Sequence, residues 1–158
     1  MDPFMQLACE LAAENLKTNA GGPFGSCVVK DGKVVGRGSN HVLAHHDPTA
    51  HGEVMAIRDA CRNLGTHDLS GCVLYTNAYP CPMCLSAIIW ANIGKVYYGN
   101  TKEEAAEIGF RDDYIYKFID TLFEGGSEEE VLSLEQKDHA ETIRVFGAFR
   151  DKTDKTIY

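Results

Sequence analysis

Apolar residues at Phe4, Leu7, Ala8, Leu11 and Ala12 recur every three to four positions, so they lie on one face of a helix. Asp2 before Pro3 makes a helix start, an acid at the N-cap followed by a residue whose missing N–H costs nothing there. Gly21-Gly22-Pro23 ends the segment. The period then shortens to two. "FGSCVVK" and "KVVGRGS" predict strands flanking Asp31-Gly32, a dipeptide suited to a tight antiparallel hairpin because both central residues take positive φ. "NHVLAHHDPT" reads as a polar loop, and a second helix is predicted from about Thr49 to Leu64, with Thr49 as cap and Gly65 as stop.

"GCVLYTN" predicts a third strand, "PMCLSAIIWANI" a third helix and "KVYYG" a fourth strand. Strand, helix, strand in that order implies a parallel pair joined by a right-handed crossover. Beyond Asn100 the pattern predicts helical pieces near 102–108 and 112–122, a loop at Gly125-Gly126-Ser127, and a final helix near 138–151. "VLSL" reads as a short fifth strand. No repeat, linker or low-complexity run interrupts the 158 residues, so the expectation is one α/β domain with helices on both faces of a sheet.

Composition narrows the function. Hydrophobic residues at 44% and charged residues at 24% are the balance of a globular chain. An acidic start, "MDPF", and the lack of any long apolar run give no sign of a secretory leader or a membrane span, so a cytoplasmic protein is expected. The net charge of −8 is concentrated at 102–141, where 13 acids face 4 bases; no basic footprint is visible, which weighs against a large nucleic-acid partner. In a reducing compartment six cysteines do not imply a disulfide framework, so a close pair points to metal or redox chemistry. Cys9, Cys27, Cys61 and Cys72 are scattered singly and read as small buried hydrophobes.

The close pair is in "PCPMC". Cys81 sits at the mouth of the third helix and Cys84 one turn in, where exposed helix amides favour thiolate. Cys-x-x-Cys is a common zinc spacing, but a redox dithiol or two packed cysteines fit it equally. The second piece is "TAHGEVMAI", which puts His51 and Glu53 at the start of the second helix. Two residues apart on a helix project about 200° apart, so the two do not both ligate one ion. His51 is the better ligand as neutral imidazole, leaving Glu53 beside it. His51, Cys81 and Cys84 make three protein ligands, the number of a catalytic zinc that keeps one position for water. A closed structural site would need a fourth side chain, from His41, His45, His46 or a distant Cys.

"HGE" followed by "PCPMC" resembles the H-x-E…P-C-x-x-C signature of zinc-dependent nucleobase deaminases. Within that superfamily the chain most resembles bacterial guanine deaminases. The resemblance runs through "GGPFGSCVVKDG", "GSNHV", "HDPTAHGEVMAIR", "PCPMCLSAIIWA", "AAEIGFRDDYIYKFI" and the "TIY" ending. It implies a three-layer α/β/α cytidine-deaminase-like fold with a central mixed sheet of about five strands, spanning 1–158 as a single domain. It further implies one Zn2+ per subunit on His51, Cys81 and Cys84, Glu53 as the catalytic proton shuttle, and deamination of guanine to xanthine and ammonia.

By the same resemblance Asn40 and Asp112 hold the base, Phe24 supplies an apolar wall, and the Gly52 backbone N–H bonds the base. Tyr158 would cover a partner's site in a homodimer that exchanges a segment of about 138–158. Two positions depart from the family pattern: Tyr79 replaces the usual Glu before the first cysteine, and Gly52 replaces the usual Ala. Guanosine, cytosine or s-triazine deamination, deamination of tRNA adenosine, and a non-catalytic zinc module remain as alternatives.

Overall fold

The computed structural model describes residues 1–158 and divides the chain into two compact units, 1–113 and 114–158. The first holds α1 (Pro3–Glu14), β1 (Gly25–Lys30), β2 (Lys33–Ser39), α2 (Val42–His45), α3 (Gly52–Leu64), β3 (Cys72–Ala78), α4 (Pro82–Trp90), β4 (Lys95–Asn100) and α5 (Lys102–Glu107). Helix α6 (Asp113–Phe123) starts at the boundary, and α7 (His139–Asp151) belongs to the second unit.

The four strands form one mixed sheet in the order β2-β1-β3-β4. β1 pairs antiparallel with β2 and with β3, and β3 pairs parallel with β4 across the α4 crossover. The hairpin turns at Asp31 (φ 50°) and Gly32 (φ 73°), both in the left-handed region that such a turn requires. Asp2 caps α1, its carboxylate accepting the Phe4 and Met5 amides at 2.8 and 3.2 Å. Helices flank both faces. α1 packs on β1 and β3, with Phe4 against the Tyr75 ring. The opposite face carries α3 and α4 over a core of Val28, Leu69, Leu74, Ala56, Ala60 and Ile88. Each buried Val, Leu or Ile there contributes roughly 1.5–3 kcal/mol of hydrophobic transfer free energy.

The sheet has four strands, not five. In "VLSL" the Val131 and Leu132 amides bond back to the Glu128 carbonyl at 3.0 and 3.2 Å, closing a local turn, and no ladder forms. Both side chains remain exposed. α3 also starts later than expected. The Thr49 amide and hydroxyl bond to the Asp47 carboxylate at 2.8 and 2.6 Å, which makes a turn of the segment and passes the N-cap to His51. The polar loop contains the single turn α2. Of the four scattered cysteines, Cys27 and Cys72 are buried and Cys61 partly so, whereas Cys9 is exposed.

Close approach between β2 and α3 depends on glycine. A Cβ at Gly38 would lie 2.3 Å from the Ala56 nitrogen and 2.4 Å from the Gly52 carbonyl oxygen, both backbone atoms that cannot rotate aside. β2 therefore sets the position at which α3 begins. Gly38→Ala is expected to lower unfolding free energy by about 1–3 kcal/mol. Urea unfolding measures this; an unchanged midpoint contradicts the tight contact.

Candidate active site

α3 and α4 both start at the same end of the sheet, with N-caps that do no capping. His51 and Cys81 occupy those positions with extended backbone and no side-chain bond to their own helix. The side chains point instead at each other. His51 Nδ1 lies 3.5 Å from Cys81 Sγ and 3.6 Å from Cys84 Sγ, and the three donor atoms fall within 4.8 Å of one another. A tetrahedral zinc with ordinary Zn–N and Zn–S bonds holds its nitrogen and sulfur ligands ~3.6 Å apart. The donor set and its edges therefore fit zinc. Two helix N-termini add partial positive charge, which favours thiolate.

The two sulfurs differ. The Cys81 thiol is held well below its ordinary range, first by its hydrogen bond with Cys84 and then by His51. Cys84 is pushed up by the same bond and by burial. His51 is raised in turn, chiefly by its bond to Cys81.

Glu53, one residue inside α3, is 6% exposed. Its Oε1 accepts from the Thr76 hydroxyl at 3.3 Å and its Oε2 from Cys84 Sγ at 3.4 Å. Burial raises its carboxyl above the ordinary range, so proton uptake there is eased. His51, Glu53 and Cys81 open onto a cavity of about 390 Å³. Asn40, Phe24 and Asp112 line it too.

Asn40 is buried and held from several directions. Its Oδ1 accepts the Val42 amide at 3.1 Å, its own amide donates to the Phe24 carbonyl, and its carbonyl accepts from Asn15 Nδ2 at 2.8 Å. What it has left to offer the cavity is chiefly its side-chain N–H bonds. Phe24 meets Phe110 edge to face at 4.9 Å. Asp112 is half-buried, and desolvation, then the Cys81 charge, raises its carboxyl.

Gly52 and Tyr158 are the remaining residues expected at the site. Gly52 is buried, and a Cβ there would lie 3.2 Å from the Phe24 carbonyl oxygen. Tyr158 ends the second unit, exposed, beyond α7.

Tyr79 also lines the cavity, its ring edge-on to Tyr98 at 5.0 Å with the Lys102 ammonium 5.1 Å from its centroid. Thr76 and Phe110 escaped sequence reasoning. For Thr76 the signal was available: β3 buries alternate residues Cys72, Leu74, Thr76 and Ala78, so a hydroxyl stands on an apolar face. Phe110 had none, since its neighbourhood is irregular.

Residues 1–100 match the cytidine and deoxycytidylate deaminase zinc-binding region. The chain is similar to guanine deaminase of Bacillus subtilis (strain 168), at 43% identity over 157 residues, covering 99% of this chain and 98% of that protein. The crystal structure of a Bacillus subtilis guanine deaminase superposes with a TM-score of 0.92, covering 100% of this chain and 99% of the other at 43% identity. Guanine deaminase from Nitrosomonas europaea matches at a TM-score of 0.66 and 32% identity, over 70% of this chain and 64% of its own. A tRNA-specific adenosine deaminase of Agrobacterium fabrum (strain C58) is 36% identical over 132 residues, 82% of each chain.

Replacing Cys84 with Ser removes one soft donor from a three-donor set. Metal analysis of the purified variant should show zinc reduced to a small fraction of one per chain, against about one in the unaltered protein. Full zinc content in the variant would rule out Cys84 as a ligand.

Proposed function

Since the chain belongs to the cytidine and deoxycytidylate deaminase family, we propose that it hydrolyses guanine to xanthine and ammonia, with His51, Cys81 and Cys84 holding zinc and Glu53 moving the proton. The observation that carries this reading is a buried carboxylate beside a three-donor cluster, both opening onto one cavity. Likeness to a guanine deaminase along 99% of the chain supports guanine over other bases.

When bound, zinc is a Lewis acid that acidifies a water from its bulk pKa toward about 7. The protein's residues do the rest. Glu53, kept dry and oriented by Thr76, accepts the water proton, passes it to a ring nitrogen and then to the departing amine. Oxygen is added at C2, the C2–N bond breaks, and ammonia leaves, so water and guanine balance xanthine and ammonia. Asp112 accepts hydrogen bonds from the N–H edge of the base, and the Asn40 amide donates to an acceptor on it. The Gly52 backbone N–H adds a donor. Phe24, with Phe110 behind it, forms an apolar wall that keeps the ring planar to the site and excludes water.

The active form is proposed to be a homodimer in which the segment of about 138–158 crosses to the partner and Tyr158 covers the partner's base. Helix α7 supports this, because Ile143, Val145, Phe146 and Phe149 stand exposed on it. The place of action is proposed to be the cytoplasm; six cysteines without a disulfide fit a reducing compartment. No helix is long and apolar enough to cross a membrane.

Glu53→Gln keeps the shape and loses the proton carrier, so kcat for guanine should fall by roughly 10²–10⁴ or more while zinc stays bound. Appreciable turnover in that variant would remove the role assigned to Glu53. Ammonia release from guanine but not from a tRNA anticodon stem-loop is expected; the reverse preference would replace guanine by tRNA adenosine as substrate. The exchange is tested by mixing Glu53→Gln chains with chains lacking Tyr158, each inactive or weak alone. Recovery of activity on mixing supports a tail acting in trans, and none contradicts it.

A further inference from the structure

The three histidines of "HVLAHH" take no part in the cluster described above. We infer that the α2 turn carries an accessory metal site, in which His41 and His45 together chelate a divalent transition ion of the nickel, copper or zinc class. They are four residues apart, the spacing that brings side chains together on a helical turn. Their ring centroids lie 4.9 Å apart, with 41° between the planes. With metal–nitrogen bonds of about 2.0–2.1 Å, two imidazoles on one ion place their ring centres roughly 4.5 Å apart at a right angle and roughly 5.2 Å apart at the tetrahedral angle. The observed separation falls between the two, so the rings are near enough for both to reach one ion.

A second, independent feature concerns the tautomer. His41 Nδ1 lies 2.9 Å from the Ser39 carbonyl oxygen, which can only accept. Nδ1 therefore carries the proton, and Nε2 keeps its lone pair for a ligand. The Ser39 hydroxyl, 3.3 Å from the same nitrogen, helps hold the ring. A backbone carbonyl on one imidazole nitrogen is the outer-shell support that fixes the orientation and basicity of metal-ligating histidines. His45 is exposed, so an ion reaches the pair from solvent.

Neighbouring groups leave the two imidazoles as the donors. Asp47 spends its carboxylate on the Thr49 amide and hydroxyl and on an ion pair with Arg58 at 3.4 Å. His46 ends α2 in the left-handed region at φ 50° and serves as its C-cap. Imidazole donors without thiolate suit nickel, copper and zinc, and not the hard ions magnesium and calcium. The site is separate from the three-donor cluster but touches the same cavity. Val42 and Leu43, between the two histidines, line that cavity, and the His41 amide donates to the Ala50 carbonyl at 2.9 Å, one residue before His51. An ion held here fixes that stretch of the cavity wall.

The test uses the full-length, zinc-loaded protein dialysed against nickel chloride in a non-chelating buffer, followed by metal analysis. One nickel per chain is expected in addition to retained zinc, with slower amide exchange across 42–46. His45→Ala should weaken nickel binding at least about tenfold, because the second bond of a chelate forms at high effective concentration. His46→Ala should leave it unchanged. The proposal is overturned if no nickel binds beyond the zinc at millimolar concentration, if nickel only displaces zinc, or if His45→Ala binds as the unaltered protein does. Zinc content and guanine turnover, read in the same samples, report separately on the reading of the main site.

Discussion

The meeting of two helix N-termini is the constraint on which the remaining structure depends. His51 holds the N-cap position of α3 and Cys81 that of α4, and neither gives its side chain to the helix it starts. Both are turned instead to a common point, with Cys84 completing a set of donors separated by 3.5 and 3.6 Å. Three groups that would repel or oxidise if simply packed together form a donor set that one ion of charge two would satisfy. The sheet supplies the precision. Gly38 lets β2 close on α3, and the β3–α4 connection delivers the two cysteines to the same edge.

Chemistry follows from what surrounds that point. Open α/β sheets present ligands at the ends of strands, and this chain places a cavity of about 390 Å³ there, lined in part by Glu53. Glu53 is a buried carboxylate, its proton affinity raised by that burial, beside the three-donor cluster. Aromatic rings at Phe24, Phe110 and Tyr79 give the cavity walls suited to a flat heterocycle. Tyr79 is the distinctive one. Its ring meets Tyr98 edge to face and the Lys102 ammonium over its face, which puts an aromatic surface two residues before Cys81.

Much of this was legible in the residues because local rules and tertiary demands agree. Asp31-Gly32 declares its hairpin, since few other pairs tolerate two positive φ angles. The candidate donor set is legible for another reason: the Cys-x-x-Cys spacing and the His-x-Glu pair each mark a short stretch, and the fold brings His51, Cys81 and Cys84 within 4.8 Å of one another. Misreadings occurred where two local rules competed. Thr49 is a good cap, but Asp47 two residues earlier captures its hydroxyl, and α3 starts at Gly52 instead. "VLSL" has strand composition, but Glu128 offers its carbonyl for a turn and no ladder reaches the segment. Thr76 and Phe110 acquire meaning only across distances that no short-range pattern encodes.

The central claim is a zinc ion held by three side chains with a fourth position left open. X-ray absorption at the zinc edge of the purified protein measures this directly. The account predicts two sulfur neighbours at about 2.3 Å, one imidazole nitrogen at about 2.0–2.1 Å and one light neighbour that is not a side chain. A spectrum with three sulfurs or a second imidazole would close the site and contradict the account.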